Sequence, residues 1–531
     1  MRLHSLLGLA GLGYLATASN LLPRNYETHD YYVLELDPAT PPSQVAFKLG
    51  LTHEGQLGEL QGHHIFSCHK QEEDIVHTAL KERKRRKRTI GESNILDGVK
   101  FAQKQKLKAR LEKRGPIPPP PEGYEAPVEV RQAEAPVASG LARQAFVAEA
   151  LGISDPIFKE QWHLYNPVQI GHDVNVTDIW MQGITGFNAT VAIVDDGLDM
   201  YSDDLKDNYF AEGSWDFNDN RAEPKPTLSD DRHGTRCAGE VSAVKNDVCG
   251  VGVAYNSKIA GIRILSKMIT DADEALAMNY AFQQNQIYSC SWGPPDDGRS
   301  MDAPGILIKK AMVNAVQNGR GGKGSIYVFA SGNGAGSEDN CNFDGYTNSI
   351  YSITVGAIDR KGLHPYYSEK CSAQLVVTYS SGSNDAIVGL SLCLSCGFTN
   401  ISSTPLMLER INAIRIMAVL LQLLRSQQES LLLSCKSDQT SHGETCNIWF
   451  CKPLSPLTSI RAIGKQPQLE RNSVIPLDME RLIVGQRSRL PRHSRTSSRK
   501  LGITLLGFTS TKLFPKGTMA LQCLLKSHQP C

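Results

Sequence analysis

Residues 191–197 read V-A-I-V-D-D-G, and this short run decides what fold the chain can adopt. A continuous apolar run rich in β-branched residues is typical of a strand buried on both faces of a parallel sheet. The run ends abruptly in Asp195-Asp196-Gly197, which places two carboxylates at the carboxyl end of the strand. Because open α/β sheets bind their ligands at that edge, the run predicts both a fold class and the position of a site.

The sequence on the carboxyl-terminal side of this run repeats the pattern. Similar apolar runs lie at 259–264 and 326–330, and helical patterns at 271–284 and 303–317 lie among them. Buried strands that alternate with helices predict a doubly wound parallel α/β sheet, which we place in residues 151–385.

Reactive side chains stand close to these strands. His233 opens a helical pattern in the triplet H-G-T, and Asn333 follows the third strand in S-G-N-G. A D-D-G or H-G-T triplet alone is usually a turn or a helix cap. An acid, an imidazole and an amide donor together are what acyl transfer needs, because the acid orients the imidazole, the imidazole accepts a hydroxyl proton and the amide binds the oxyanion.

On these motifs, residues 154–382 resemble the catalytic domain of the kexin branch of the furin-like subtilases. The matching text is Q-W-H-L, I-V-D-D-G-L-D, D-L-K-D-N, G-S-W-D-F-N, R-H-G-T-R-C-A-G-E, C-G-V-G-V, G-I-R-I-L, Y-S-C-S-W-G-P, F-A-S-G-N-G and H-P-Y-Y-S-E-K-C-S-A. The resemblance implies a serine endoprotease in which Asp195 and His233 belong to the charge relay and Asn333 stabilises the oxyanion.

The resemblance also implies a set of substrate-binding acids. They are Asp196, Asp230 and Asp231 around the second subsite, and Asp296, Asp344 and Glu274 around the first. Each acid taken alone is more simply a solvated loop residue. Carboxylates gathered near a reactive centre suit a Lys or Arg side chain. The family's substrates are proproteins cut after Lys-Arg or Arg-Arg, so the same substrates are expected here.

Calcium is the cofactor that the resemblance implies. One expected site consists of Asp155, Asp204 and Asn246, and the other of Asp296, Asp339 and Glu369. Scattered oxygen ligands of this kind suit Ca²⁺, although the loop 244–250 is one residue shorter than the usual pattern. Among the cysteines, Cys341 and Cys371 match a family disulfide, Cys249 matches one half of another, and Cys237 matches an unpaired cysteine.

The amino-terminal residues predict entry into the secretory pathway. A short basic start, an apolar stretch and an A-T-A cleavage site predict a signal peptide over residues 1–18. Glycosylation sequons begin at Asn175, Asn188 and Asn400. The net charge of +1 gives no reason to expect nucleic acid as a partner. No later apolar run is long enough to span a membrane, so a lumenal or secreted chain is expected, whereas the family resides in the late Golgi membrane.

Residues 19–114 predict a prodomain. Short apolar runs at 31–36 and 64–68 flank a helical pattern, which is enough for a small α/β domain. The basic run at 81–88 would ordinarily be a solvated face or a nuclear signal, but a signal peptide favours processing. We expect the prodomain to act as an intramolecular inhibitor that is cut after Arg114, with Arg88 as a second candidate. His63 or His64 would sense acidification, and residues 115–150 would be a linker.

The expected nucleophile is missing. The family continues beyond T-Y-S-S-G-S, residues 378–383, to a G-G-T-S-A motif that this chain does not contain. Ser381, Ser383, Ser402 and Ser403 offer hydroxyl groups, but none stands in that context, and each suits a polar loop better.

A shift of reading frame explains this absence. Regrouping the codons of residues 416–423 permits His-Gly-Gly-Thr-Ser-Ala-Ala, and the same shift over 441–450 permits Thr-Trp-Arg-Asp-Met-Gln-Tyr-Leu-Val. Both resemble family helices at the family's spacing. We therefore predict that residues 386–531 are an aberrant, unpacked tail, that the sheet is incomplete at its carboxyl-terminal part, and that the chain is inactive. The alternatives are a secreted pseudoprotease that binds dibasic peptides and a misspliced product without function.

Overall fold

The computed structural model describes residues 23–90, 93–109, 111–114, 137–382 and 387. All of these residues belong to one compact unit. The predicted signal peptide (1–18) lies outside the described residues, as does the predicted tail (386–531) apart from Ile387.

Two groups of elements follow each other along the chain. The amino-terminal domain contains β1 (His29–Leu36), α1 (Pro42–Leu49), β2 (Thr52–Gln56), β3 (His63–His69), α2 (Ile75–Ile90), β4 (Val99–Lys104) and β5 (Glu112–Lys113). The main domain contains α3 (Val137–Leu151), α4 (Thr177–Trp180), β6 (Thr190–Asp195), β7 (Trp215–Asp216), α5 (His233–Ser242), β8 (Lys258–Arg263), α6 (Asp271–Ala277), β9 (Ile287–Cys290), β10 (Trp292–Gly293), α7 (Ile306–Gly322), β11 (Ile326–Ala330), β12 (Ser352–Ile358) and β13 (Gln374–Tyr379).

The main sheet has seven strands in the order β13-β12-β11-β9-β6-β8-β7, and every pair in it is parallel. The chain leaves β6 on one side to form β7 and β8, and then returns to the other side of β6 with β9. The expected doubly wound parallel α/β sheet is therefore confirmed, and its topological switch point lies between β6 and β9. That is where ligands bind in such sheets.

Strand β6 shows why the sheet is buried on both faces. Ala192 and Val194 belong to the hydrophobic cluster packed under α6 and α7, whereas Val191 and Ile193 belong to the cluster packed against α5. Alternate residues of a strand point to opposite faces, so a strand covered on both sides has to be apolar throughout.

Some element boundaries differ from the sequence prediction. The helix expected over 271–284 ends at Ala277, and the positive φ of 50° at Ala281 excludes a helix that continues to residue 284. The helix expected over 303–317 begins at Ile306, after Pro304 and Gly305, and runs to Gly322. Helix α3 starts at Val137, inside the stretch predicted as a linker.

The amino-terminal domain is a four-stranded antiparallel sheet in the order β2-β3-β1-β4. On β1, Tyr32 and Leu34 face a core shared with α1 and α2, while Tyr31 and Val33 join the cluster that contains residues of α6 and α7. The small sheet therefore lies between its own helices and the helices of the main domain. None of the helices in the described part of the chain is long and apolar enough to cross a membrane.

Candidate active site

Asp195 and His233 meet at the switch point of the sheet. Asp195 is the last residue of β6 and His233 is the first residue of α5, and both are buried. His233 Nδ1 lies 2.8 Å from Asp195 Oδ2. Burial disfavours a charged imidazole, but the adjacent carboxylate outweighs it and raises the pKa of His233 well above its ordinary value. The pair can therefore hold an imidazole in one tautomer and stabilise its protonated form.

Asp196 fixes the helix that carries His233. Its Oδ2 accepts hydrogen bonds from the backbone N–H groups of Arg232 and His233, both at 3.1 Å, and its Oδ1 accepts one from Gly234 at 2.8 Å. A carboxylate at this position satisfies free N–H groups of the first helical turn and complements the helix dipole. A Cβ on Gly234 would lie 2.2 Å from the Gly197 carbonyl oxygen, so the close approach of α5 to β6 requires glycine here.

Cys237 lies one helical turn beyond His233. Its Sγ is 4.0 Å from Nδ1 and 3.9 Å from Nε2 of the imidazole. Because these two distances are nearly equal, the thiol is not aligned with either nitrogen. Burial raises the pKa of this thiol. The geometry therefore does not prepare Cys237 as a nucleophile in place of a hydroxyl.

Asn333 lies at the same edge of the sheet, just after β11, and is buried. Its backbone N–H donates to Asp296 Oδ2 at 2.7 Å. β11 and β6 both pair with β9 in parallel, so their carboxyl ends point the same way. The structure thus brings the three predicted catalytic residues to one edge.

Strand β5 places the end of the amino-terminal domain in this site. It pairs with β10 in antiparallel fashion, with Lys113 opposite Trp292 and Glu112 opposite Gly293. The backbone N–H of Arg114 then donates to the Ser291 carbonyl oxygen at 2.8 Å. An extended peptide added to a strand edge in this way is held by its backbone, and neighbouring pockets can read its side chains.

The guanidinium of Arg114 is enclosed by two predicted acids. Nη2 lies 2.7 Å from Asp344 Oδ2 and Nε lies 3.3 Å from Asp296 Oδ1, while Nη1 donates to the Ala330 carbonyl oxygen. Burial by itself lowers the pKa of Arg114, but the charges of Asp296 and Asp344 outweigh it and raise that pKa. This pocket therefore fits a guanidinium.

Lys113 contacts the three acids that were predicted for the second subsite. Its Nζ lies 2.7 Å from Asp196 Oδ2, 3.4 Å from Asp230 Oδ2 and 3.7 Å from Asp231 Oδ1, and it donates to the Asp230 carbonyl oxygen at 2.7 Å. Asp196 therefore contacts both the helix that carries His233 and the lysine, which couples this pocket to the imidazole.

Glu274, which was predicted to lie around the first subsite, contacts Lys108 and Tyr346. Its Oε2 is 3.0 Å from Lys108 Nζ, and its Oε1 accepts a hydrogen bond of 2.5 Å from the Tyr346 hydroxyl. Asp271, which the sequence analysis did not single out, lies 2.5 Å from the same lysine. The clue was present in the sequence, because Asp271 and Glu274 are three residues apart on one helix and share a face.

The acids predicted to bind calcium form two groups. Asp296, Asp339 and Glu369 bring oxygen atoms within 4.8 Å of one another. Burial raises the pKa of Glu369 to about 8, and the charges of Asp296 and Asp339 add to this effect. A divalent cation would remove this repulsion, so the donor set fits Ca²⁺.

The second group contains Asp155, Asp204 and Asn246. Both carboxylates are buried, and Oδ2 of each has no hydrogen-bond partner within the described part of the chain. Burial raises the pKa of Asp155 and of Asp204 to about 6. Asn246 donates from Nδ2 to Asp204 at 2.9 Å and accepts from the Val248 N–H at 2.8 Å. The two carboxylates thus fit a cation, and the amide oxygen of Asn246, which accepts one hydrogen bond, has a second lone pair that could face the same ion.

The remaining predicted sites are placed as follows. Cys341 and Cys371 form a disulfide, and Cys249 is also disulfide-bonded. Asn175 and Asn188 are exposed, and Asn400 lies outside the described residues.

Of the available hydroxyls, Ser381 is buried and accepts a hydrogen bond from the Ile387 N–H at 3.0 Å. Ser383, Ser402 and Ser403 fall outside the described residues.

Comparison with known proteins bears on these arrangements. Residues 186–397 match the model of the Subtilase family. The dibasic-processing endoprotease of Yarrowia lipolytica is 62% identical over 247 residues, which cover 46% of this chain and 25% of that protein. Kexin of Saccharomyces cerevisiae is 58% identical over 278 residues, covering 52% and 32%. Kexin of Candida albicans is 46% identical over 421 residues, covering 73% and 44%. The chain therefore spans less than half the length of each of these relatives.

Proposed function

Since residues 186–397 match the Subtilase family and the chain is similar to fungal kexins, we propose that it belongs to the kexin-like branch of that family and is built as a calcium-dependent serine endoprotease of the secretory pathway. The substrates for which its site is built are proproteins, with cleavage after Lys-Arg or Arg-Arg.

The observation that carries the proposal is that Lys113 and Arg114 are both bound by acidic side chains. Three acids contact the lysine and two contact the arginine, and one of the three, Asp196, also accepts a hydrogen bond from the backbone N–H of His233. A pair of basic side chains at the end of an extended strand is what a cut after Arg114 would leave behind. The amino-terminal domain is then both the first substrate and the intramolecular inhibitor.

The residues at the sheet edge have distinct chemical roles. Asp195 orients the His233 imidazole and stabilises its protonated form. The imidazole accepts the proton of the attacking hydroxyl and later donates it to the leaving amine. The Asn333 amide stabilises the negative charge that develops on the carbonyl oxygen of the substrate.

Calcium supports the arginine pocket. Asp296, Asp339 and Glu369 would hold one ion, and Asp155, Asp204 and Asn246 would hold another. The ion supplies charge neutralisation when bound. Asp296 also contacts Arg114 and the backbone of Asn333, so fixing this carboxylate fixes the pocket and the oxyanion donor together.

The chain as it stands lacks the family's G-T-S-A serine motif, and we propose that it does not cleave peptides. Ser381 is an unsuitable substitute because its side chain is buried and already accepts a backbone hydrogen bond. A secreted pseudoprotease that binds dibasic peptides through the same acids is the second candidate, and a misspliced product without function is the third.

Cleavage of a quenched peptide containing Lys-Arg tests the proposal. The given chain should leave the peptide intact. A version in which the reading frame is restored, so that residues 416–423 are replaced by His-Gly-Gly-Thr-Ser-Ala-Ala, should cut the peptide after arginine. The His233→Ala variant of this version should not cut it. A matched peptide with norleucine in place of lysine controls for the second pocket and should be cut more slowly. Cleavage by the given chain, with labelling by a fluorophosphonate, would reveal another nucleophile. Equal cleavage of both peptides would contradict the dibasic specificity.

A further inference from the structure

Arg263 is a buried cation that contacts two of the acids of the second subsite, which surround Lys113. The sequence analysis had not indicated a role for it. It is the last residue of β8, and its side chain has no exposed surface. Its guanidinium donates to the Asp216 carboxylate at 2.9 Å, the Asp219 carboxylate at 2.8 Å, the Asp231 carboxylate at 2.9 Å and the Asp196 carbonyl oxygen at 3.2 Å. A side chain that binds so many acceptors at fixed angles holds them in one arrangement.

Two of these acceptors belong to acids that contact Lys113. The two oxygens of Asp231 have separate tasks. Oδ2 accepts from Arg263, from the Ser266 hydroxyl at 2.9 Å, and from the N–H groups of Thr227 and Leu228. Oδ1 has no hydrogen-bond partner within the part of the chain that the structure describes, and it lies 3.7 Å from Lys113 Nζ. Arg263 thus fixes one oxygen and leaves the other turned toward the ligand.

The charges in the pocket give Arg263 a second task. The carboxylates of Asp196 and Asp231 have no exposed surface, and both lie within 4 Å of the Lys113 ammonium. Buried carboxylates without a nearby cation are costly. When a lysine leaves the pocket, Arg263 is the cation that stays beside Asp231.

We propose that Arg263 is the positioning residue of the second subsite. It holds Asp231 and the backbone of Asp196 so that the subsite keeps its shape and charge whether or not a lysine fills it. This inference rests on the proposed function, because Lys113 stands for the penultimate residue of a substrate.

Lysine acetylation of the full chain tests the inference without requiring catalytic activity. Brief exposure to an acetylating reagent, followed by mass spectrometry, measures how freely each ammonium leaves its partners. Arg263→Met should raise the acetylation rate of Lys113 about tenfold, as expected when a charged hydrogen-bond network is loosened. The rate of Lys108, which lies against Asp271 and Glu274, should not change.

Arg221→Met is the matched control. Arg221 contacts Asp216 at 3.0 Å and Asp219 at 3.6 Å, so it belongs to the same acidic network but acts away from the pocket acids. This variant should leave the Lys113 rate within about twofold of the wild-type rate, because exposed pairs contribute little. Arg263→Lys should give an intermediate rate, since one ammonium cannot reach all the acceptors.

Each outcome decides the question. Equal Lys113 rates in Arg263→Met and wild type would overturn the inference, as would an equal rise in Arg221→Met. If Arg263→Met fails to fold, Lys108 will react faster too. Arg263→Lys then decides, because a selective rise at Lys113 supports the inference and an unchanged rate overturns it. Asp231→Asn separates the proposals: an unchanged Lys113 rate there would mean that the subsite itself, and with it the dibasic function, is wrong.

Discussion

Trypsin cuts the peptide bond after an exposed arginine, but only 3% of the Arg114 side chain is exposed, so we expect the bond after Arg114 to be protected. Asp344 makes the shortest carboxylate contact to its guanidinium, at 2.7 Å. We expect Asp344→Asn to increase trypsin cleavage after Arg114 by about tenfold, because a hydrogen bond between charged groups contributes on the order of 1.5–3 kcal/mol. A digestion time course read by mass spectrometry measures the effect. Asp297→Asn, in an exposed loop nearby, should change nothing, and continued protection in Asp344→Asn would contradict the role given to that acid.

His63 makes the contact between the two domains sensitive to pH. Its Nε2 lies 3.2 Å from Lys310 Nζ and 3.8 Å from Glu35 Oε2, and its Nδ1 lies 3.0 Å from the Gln61 carbonyl oxygen. Burial lowers the pKa of His63, and Lys310 lowers it further against the opposing effects of Gln61 and Glu35. The docked form therefore favours the neutral imidazole. Its stabilising contribution is present above the ordinary pKa of about 6.5 and is lost as the pH falls below that value.

The corresponding measurement is thermal unfolding at pH 7.5 and 5.5. We expect the loss of Tm on acidification to be smaller by a few degrees in His63→Gln than in wild type. His77→Gln changes an exposed histidine of the same domain and should behave like wild type. An identical acid response in His63→Gln would show that another group senses the pH.

The sequence predicted those site residues that follow a strand or open a helix. Asp195 comes directly after an apolar run and Asn333 follows another after two residues, and parallel strands bring their carboxyl ends to one edge of the sheet. The partner of Glu274 could not be predicted in this way. It depends on Lys108, which belongs to a different domain and reaches α6 only through the packing of the small sheet on the main domain.

At the scale of elements, the basic run at 81–88 lies in helix α2. Arg83 is buried there and makes a bidentate pair with Asp97, from Nε at 2.9 Å and from Nη2 at 2.8 Å. Proteases bind extended chains, so this helix has to unwind before any cut within it, including one after Arg88. The earlier expectation of Arg88 as a second cut therefore carries a condition that the sequence did not reveal.

Asp97→Asn should weaken that helix. We expect trypsin to cut within residues 81–86 about fivefold faster than in wild type, since a bidentate charged pair contributes more than a single hydrogen bond. Mass spectrometry of the early fragments identifies the cuts. Glu82→Gln, an exposed change on the same helix, is the control. Equal rates in both variants would mean that the Arg83 pair does not secure the helix.

The ends of helices and strands could be predicted only where they coincide with the ends of an apolar run. The strand expected over 191–194 extends by one residue at each end, to Thr190 and Asp195. Helix α6 ends seven residues before its predicted end. This could not be predicted, because the positive φ beyond the helix is adopted by an alanine, Ala281, and not by a glycine that would have indicated it.

At the scale of the whole molecule, calcium removal should lower stability. Each of the two predicted calcium sites brings carboxylate oxygens close together. A cation that binds there stabilises the folded chain, because the unfolded chain cannot bind it well. We expect EDTA to lower the Tm by about 5 °C and added Ca²⁺ to restore it, whereas Mg²⁺ should restore it poorly because it demands a tighter geometry. Differential scanning calorimetry measures this. Asp339→Asn should reduce the calcium response, and an unchanged Tm with EDTA would contradict both sites.

The pairing of β5 with β10 has a consequence for how the occupancy of the cleft depends on protein concentration. While the chain is continuous, the contact of Lys113 and Arg114 with their pockets is intramolecular, and its occupancy does not depend on protein concentration. If the chain is cut after Arg114 as proposed, the small domain becomes a separate ligand, and its occupancy of the cleft then follows mass action. Dilution after such a cut would therefore empty the cleft, and the concentration of the cut protein would by itself set the fraction of molecules whose cleft is open.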